Sequence, residues 1–179
     1  MKCITLIILV ISVSFFGCRN NKESSSTYYY KATNEGKIVS YQKIDYNYVL
    51  DSIIESVTIY NLKGEVIQKQ KNHFIKSEKG LDIIINGKRE QYLQLTKKDS
   101  CVIYKHPIGY DIKNCFLKIL DYKGNKNALK FNYTEEVIDG LSMTIFLNND
   151  YSLIDKKEII GSGSFDELVK IDKSSVPKK

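Results

Sequence analysis

The chain has 179 residues, 42% of them hydrophobic, and carries 27 Lys plus Arg against 21 Asp plus Glu. This length fits one domain with a substantial core. The composition excludes collagen-like, low-complexity and multi-spanning membrane classes, because it has neither a glycine period nor a series of long apolar runs. The basic excess comes from lysine, since Arg19 and Arg89 are the only arginines. Because arginine makes most specific contacts to nucleic acids, we expect no nucleic-acid partner.

The first eighteen residues have the order of a bacterial export signal. Lys2 precedes the apolar run Ile4–Phe16, which is followed by Gly17 and Cys18. The run is too short for a bilayer, which takes about 20 residues to span, so we expect no stable transmembrane anchor.

Phe15-Phe16-Gly17-Cys18 resembles the lipobox of bacterial lipoproteins, in which the cysteine receives a diacylglyceryl group before the signal peptide is cut. The resemblance implies that residues 1–17 are removed and that Cys18 is the lipid attachment site. Acyl chains such as palmitate would then anchor the exported protein to the cell envelope, at the outer membrane or the cell surface. An ordinary secretory signal with an unmodified Cys18 is the alternative.

The exported part of the chain begins with a polar segment. Residues 18–27 hold almost no large apolar side chain, and we predict a flexible tether there. From Tyr28 onward, runs rich in Tyr and Ile are separated by turn signals, which predicts a single β-rich domain over residues 28–172. The turn signals are Asn34-Glu35-Gly36, Asn61-Leu62-Lys63-Gly64, Glu78-Lys79-Gly80, Asn86-Gly87, Lys97-Lys98-Asp99, Lys123-Gly124-Asn125 and Asn148-Asn149-Asp150.

The runs between these signals have the pattern of strands. Residues 43–50 and 129–134 alternate apolar with polar side chains, which indicates antiparallel strands with one face in water. Asn86-Gly87 is the sharpest hairpin signal, because a type I′ turn needs positive φ at both central residues. We predict a mainly β fold, an antiparallel meander of about 9–11 strands that forms a curved sheet, half-barrel or small barrel.

Two cysteines remain in the exported chain besides the lipobox cysteine. Cys101 and Cys115 are candidates for a disulfide, because exported proteins meet oxidising conditions. The bridge would close a loop of about 15 residues and contribute about 3 kcal/mol. Two buried free thiols are the alternative, since spacing alone does not bring the Cα atoms within bridging distance.

The C-terminal region carries the clearest helix signal. Ser164-Phe165-Asp166-Glu167 matches a capping box, followed by Leu168 and Val169, and predicts one short C-terminal helix. Residues 173–179 are predicted to form a disordered tail.

No motif in the sequence identifies a catalytic site. Glu135, Glu136 and Asp139 form an acidic cluster that could supply a glycosidase acid, although an ordinary solvated turn explains the same residues. His73 and His106 lack ligand spacing to a cysteine pair, so we expect no metal and no cofactor. We therefore assign no catalytic residue.

The sequence leaves several functions open. We favour a non-enzymatic envelope lipoprotein, a binding or scaffold module whose sheet binds an envelope protein or an apolar ligand. The alternatives are a surface-tethered hydrolase acting on glycans or peptides, and an immunity or inhibitor-type lipoprotein that neutralises a toxin. An enclosed apolar cavity would distinguish a carrier from a scaffold.

Overall fold

The computed structural model describes residues 23–97, 100–104, 112–134, 141–160 and 164–177. Within these ranges no helix is long and apolar enough to cross a membrane. The elements are β1 (Ser24–Asn34), β2 (Lys37–Val49), β3 (Ser52–Tyr60), β4 (Val66–Ser77), β5 (Gly80–Ile85), β6 (Lys88–Lys97), β7 (Ser100–Ile103), β8 (Ile112–Tyr122), β9 (Asn125–Thr134), β10 (Leu141–Leu147), β11 (Leu153–Ile160), β12 (Ser164–Ile171) and a 3-10 turn (Lys173–Ser175).

The strands form one closed antiparallel barrel. Each strand pairs with its neighbour in sequence, and β12 pairs with β1 to close the sheet. This confirms the mainly β class, the meander and the small barrel. The predicted number of strands is too low, because the described residues form twelve. One of the twelve strands, β12, is formed by the segment that was predicted to be a helix.

The predicted C-terminal helix is wrong. Ser164–Ile171 is β12, which pairs with β11 on one side and with β1 on the other, while Leu168 packs against the core. A helix cap contributes only about 1 kcal/mol. Without β12, the unpaired backbone groups of β1 and β11 would form two open edges, so closure of the sheet overrides the local signal.

The flexible tether ends earlier than predicted, because β1 already begins at Ser24. Residues 24–27 pair with residues 45–48 of β2, and the Thr27 hydroxyl donates to the Asp45 carboxylate at 2.6 Å. Polar residues extend the strand here because the backbone makes the ladder hydrogen bonds. The start of the tether, including Cys18, and the signal segment 1–17 lie outside the described residues, so the lipid anchor stays a prediction.

The Asn86-Gly87 hairpin is confirmed. It joins β5 to β6, with φ of 51° at Asn86 and 74° at Gly87. Both values are positive, as the type I′ turn requires, and this turn matches the twist of the flanking strands. Glu35-Gly36 and Lys123-Gly124 have the same pair of positive φ values at their hairpins.

The core fills much of the barrel interior. Tyr30 and Phe131 are 0% and 1% exposed. Cys101 of β7 lies directly opposite Cys115 of β8, with 5.0 Å between the Cα atoms, and the two are bonded as a disulfide. This separation lies within the range that disulfides occupy.

Candidate functional site

The barrel holds a cavity of about 210 Å³ among its inward-facing side chains. An apolar cavity of about 150 Å³ suffices to bind benzene, whereas pockets for drug-sized ligands measure about 300–1,000 Å³. The cavity therefore has room for a molecule built around one ring, but not for a phospholipid.

Aromatic and aliphatic side chains form most of the cavity wall. The rings of Phe74 on β4 and Tyr92 on β6 lie 5.1 Å apart between centroids, tilted by 47°. Ile53 of β3, Leu93 of β6 and Phe131 of β9 complete this wall and are nearly fully buried. The wall is apolar because alternate residues of each strand point into the barrel.

Two tyrosines connect strands that are not direct neighbours in the barrel. The Tyr30 hydroxyl donates to the Leu153 carbonyl, and the Leu153 N–H donates to the Tyr46 hydroxyl at 3.2 Å. These bonds tie β1 and β2 to the first residue of β11. Burial raises the pKa of both tyrosines above its ordinary value, so both hydroxyls are neutral at pH 7.

The loop between β10 and β11 presents Tyr151 to the cavity. Tyr151 has φ of 68°, a left-handed conformation that is uncommon for a bulky residue. Its N–H donates to the Asn148 carbonyl at 2.8 Å. The Asp150 carboxylate accepts bonds from the Ser152 N–H at 2.9 Å and the Ser152 hydroxyl at 2.7 Å. This network holds the backbone in the turn.

Glu55 is the acidic residue of the cavity wall. It lies on β3, where its register partners are Tyr46 of β2 and Asn72 of β4. The Asn72 amide donates to Glu55 Oε1 at 2.8 Å. This partner is neutral. Among the described residues, none of the ion pairs includes Glu55.

Lys156 is the basic residue of the same cavity. It lies on β11, paired with Ile145 of β10 and Leu168 of β12, both of which pack against the core. In the order of the barrel, β11 is separated from β3 by β2, β1 and β12. The cavity therefore carries a carboxylate and an ammonium group on different walls.

A second depression has a volume of about 520 Å³. It is lined by residues of β5, of β6 and of the turn between β4 and β5. Arg89 Nη2 lies 2.6 Å from Asp82 Oδ2, and the Gln94 amide donates to Asp82 Oδ1 at 3.0 Å. Asp82 therefore has partners on both oxygens. We interpret this network as a structural link between β5 and β6, because the positive charge of Arg89 neutralises the negative charge of Asp82.

A third polar cluster is centred on Asp155, which is 7% exposed. The Tyr122 hydroxyl donates to Asp155 Oδ2 at 2.8 Å, Lys123 Nζ donates to the same oxygen, and the Lys170 N–H donates to Oδ1 at 3.1 Å. Burial, followed by the bond to Asp155, raises the pKa of Tyr122 to about 12. The cluster joins β8 to β11 and β12, which is a structural role.

Few of the residues singled out from the sequence lie in the described part of the chain. His73 is on β4, and its Nε2 lies 2.6 Å from the Ser52 hydroxyl. In the described residues there is no cluster of three His, Cys, Asp or Glu side chains suited to a metal ion. Outside these residues lie Cys18, His106, Glu135, Glu136 and Asp139.

Sequence reasoning missed Glu55 and Lys156. The signal for Glu55 was a charged residue within the β-prone run 53–60, at a position that alternation assigns to the apolar face. No protein-family model, no curated protein and no solved structure matches the chain. The functional argument therefore starts from the geometry of the cavity.

Proposed function

We propose that the protein is a lipid-anchored envelope protein whose barrel binds a small apolar ligand, without catalysing a reaction. The observation that carries this proposal is the cavity of about 210 Å³ in the barrel interior. A concave, largely apolar wall with a few polar groups is typical of small-molecule sites. The lipobox-like segment ending at Cys18 supports the envelope location.

The wall of the cavity favours a ring-shaped ligand. Phe74, Tyr92 and Phe131 offer aromatic surface, and aromatic pairs in tilted or offset contact gain about 0.5–1.5 kcal/mol beyond the area they bury. An apolar ligand also gains about 25 cal/mol for each Å² that it removes from water. We expect modest affinity, because so small a ligand buries little surface.

Ligand-observed NMR tests this function directly. The full chain is placed in lipid nanodiscs, and saturation transfer to phenol, p-cresol and indole is measured. Leu147 lines the cavity, so Leu147→Phe should fill part of the space and reduce the transfer several-fold. Leu62→Phe is the matched control, because Leu62 is 54% exposed in the turn between β3 and β4. Equal transfer in both variants, or no transfer to any probe, would overturn the proposal.

The lipid anchor has a separate test. Mass spectrometry of the N-terminal peptide should find Cys18 as the first residue, carrying a diacylglyceryl group. Cys18→Ser should move the protein from the membrane fraction to the soluble fraction after export, because two or three acyl chains supply the membrane affinity. An unmodified Cys18 in the membrane fraction would contradict the lipoprotein assignment.

A further inference from the structure

Glu55 is a carboxylate on the wall of a cavity that is otherwise mostly apolar. Placing a charged group against apolar surroundings is costly unless hydrogen bonds and an opposite charge compensate it. Asn72 supplies a hydrogen bond to Glu55 but no positive charge. The Glu55 carboxylate would therefore attract a cationic group placed at this point of the cavity.

The carboxylate retains capacity for another partner. An ionised carboxylate has about four lone-pair sites, and the Asn72 amide occupies one of those of Glu55. Because Glu55 lines the cavity, a ligand placed there can donate to the remaining sites. Hydrogen bonds between an ammonium group and a carboxylate are about twice as strong as neutral ones.

The aromatic wall suits the same type of ligand. Tyr46, Phe74 and Tyr92 line the cavity together with Glu55. A cation within about 6 Å of an aromatic ring gains about 0.5–2 kcal/mol, with the larger values in sites shielded from water. A ligand with an ammonium group on a ring-sized apolar body would use both the carboxylate and the rings.

Lys156 makes the two sides of the cavity differ in charge. It lies on β11, separated from β3 by three other strands. Its positive charge disfavours an ammonium group on its own side of the cavity, so the amine is favoured on the side of Glu55.

We infer that the cavity selects a primary amine attached to a ring-sized apolar body, with Glu55 as the counter-ion of the ammonium group. This inference rests on the proposed ligand-binding function and specifies the class of ligand. It assigns Asn72 the role of holding the Glu55 carboxylate in position through its hydrogen bond.

Three probes of similar size test the selectivity: 2-phenylethylamine, 2-phenylethanol and phenylacetate. Their dissociation constants are measured at pH 7 by calorimetry on the full chain in nanodiscs. We expect 2-phenylethylamine to bind at least tenfold more tightly than the alcohol. Glu55→Gln should remove this preference and leave the affinity for the alcohol within twofold. Glu65→Gln is the matched control, because Glu65 is exposed in the β3–β4 turn and bonds to Asn61.

The outcomes separate the two proposals. If the alcohol binds and the amine binds no better, the inference fails while the ligand-binding function stands. If phenylacetate binds best, the inference is overturned. If none of the three probes binds, the ligand-binding function fails as well. If Glu55→Gln lowers the affinity for amine and alcohol equally, Glu55 shapes the cavity without recognising charge.

Discussion

The barrel has two unlike parts, a long-strand wall formed by β1–β4 and a short-strand wall formed by β5–β7. Strands of the long-strand wall have 9–13 residues, and register shifts interrupt the pairs β1–β2 and β3–β4 but not β2–β3. Strands of the short-strand wall have 6, 10 and 4 residues. A register shift interrupts both strand pairs within the short-strand wall and also its junction with β8.

The difference shows two ways of holding one sheet together. The long-strand wall relies on extended ladders and on inward tyrosines, with the rings of Tyr28 and Tyr46 and those of Tyr46 and Tyr48 each 6.1 Å apart. The short-strand wall makes fewer ladder bonds, and there a disulfide joins β7 to β8. Covalent linkage therefore supports the region where pairing is shortest.

Loss of the disulfide should have the largest effect on stability. A loop closed over a sequence separation of 14 corresponds to about 3 kcal/mol of stabilisation in the chain-entropy model. We expect dithiothreitol to lower the urea midpoint of unfolding by roughly 1–3 M, given slopes of about 1–3 kcal/mol per M. The double variant Cys101→Ser, Cys115→Ser should show the same low midpoint and no response to dithiothreitol. An equal urea midpoint with and without reductant would show that the disulfide does not stabilise the short-strand wall.

Gly80, the first residue of β5, should be the next most sensitive position. Its φ is 137°, and a Cβ atom there would lie 2.1 Å from the Leu93 carbonyl oxygen. We expect Gly80→Ala to cost about 2–3 kcal/mol, because backbone strain adds to steric overlap between β5 and β6. Gly87→Ala is the control, since φ is 74° but the space around the new Cβ is empty. Equal losses in urea unfolding would show that the close approach to Leu93 is unimportant.

The same contrast explains how far the sequence predicts the fold. Asn86-Gly87 fixes its hairpin locally, because few residues adopt positive φ in succession. The strand conformation of Ser164–Ile171 cannot be predicted from the local sequence, because pairing with both β1 and β11 decides it. The cavity is hardest to predict, since its volume depends on strand number and side-chain packing together. Glu55 becomes informative only once its strand is known to face the interior.

Alkaline pH should weaken the long-strand wall. Burial raises the pKa of Tyr30 and Tyr46 above 10, and that of Tyr48 to about 12. Unfolded tyrosines ionise near pH 10, whereas these stay neutral in the folded barrel, so their contribution is complete below pH 10 and is lost as pH rises toward 12. Urea unfolding from pH 9 to pH 12 should show this decline.

Tyr48→Phe provides the control for this alkaline effect. The variant should lose stability less steeply than the wild type above pH 10, because one ionisable hydroxyl is absent. The difference should stay below about 1.4 kcal/mol per pH unit, the limit for one proton, since Tyr48 is only partly buried. Identical slopes in the two proteins would assign the alkaline loss to other groups.

The smallest predicted effect concerns Leu50, in the turn between β2 and β3 of the long-strand wall. Leu50 has φ of 55° and is 66% exposed, so its side chain gains little from packing while its backbone is left-handed. Leu50→Asn should raise the free energy of unfolding by about 0.5 kcal/mol, because asparagine tolerates this conformation better. Leu62→Asn, at a residue that is 54% exposed and lacks positive φ, should change stability less. An equal gain at both sites would identify removal of exposed apolar surface as the cause, and would show that the turn adds no strain to the long-strand wall.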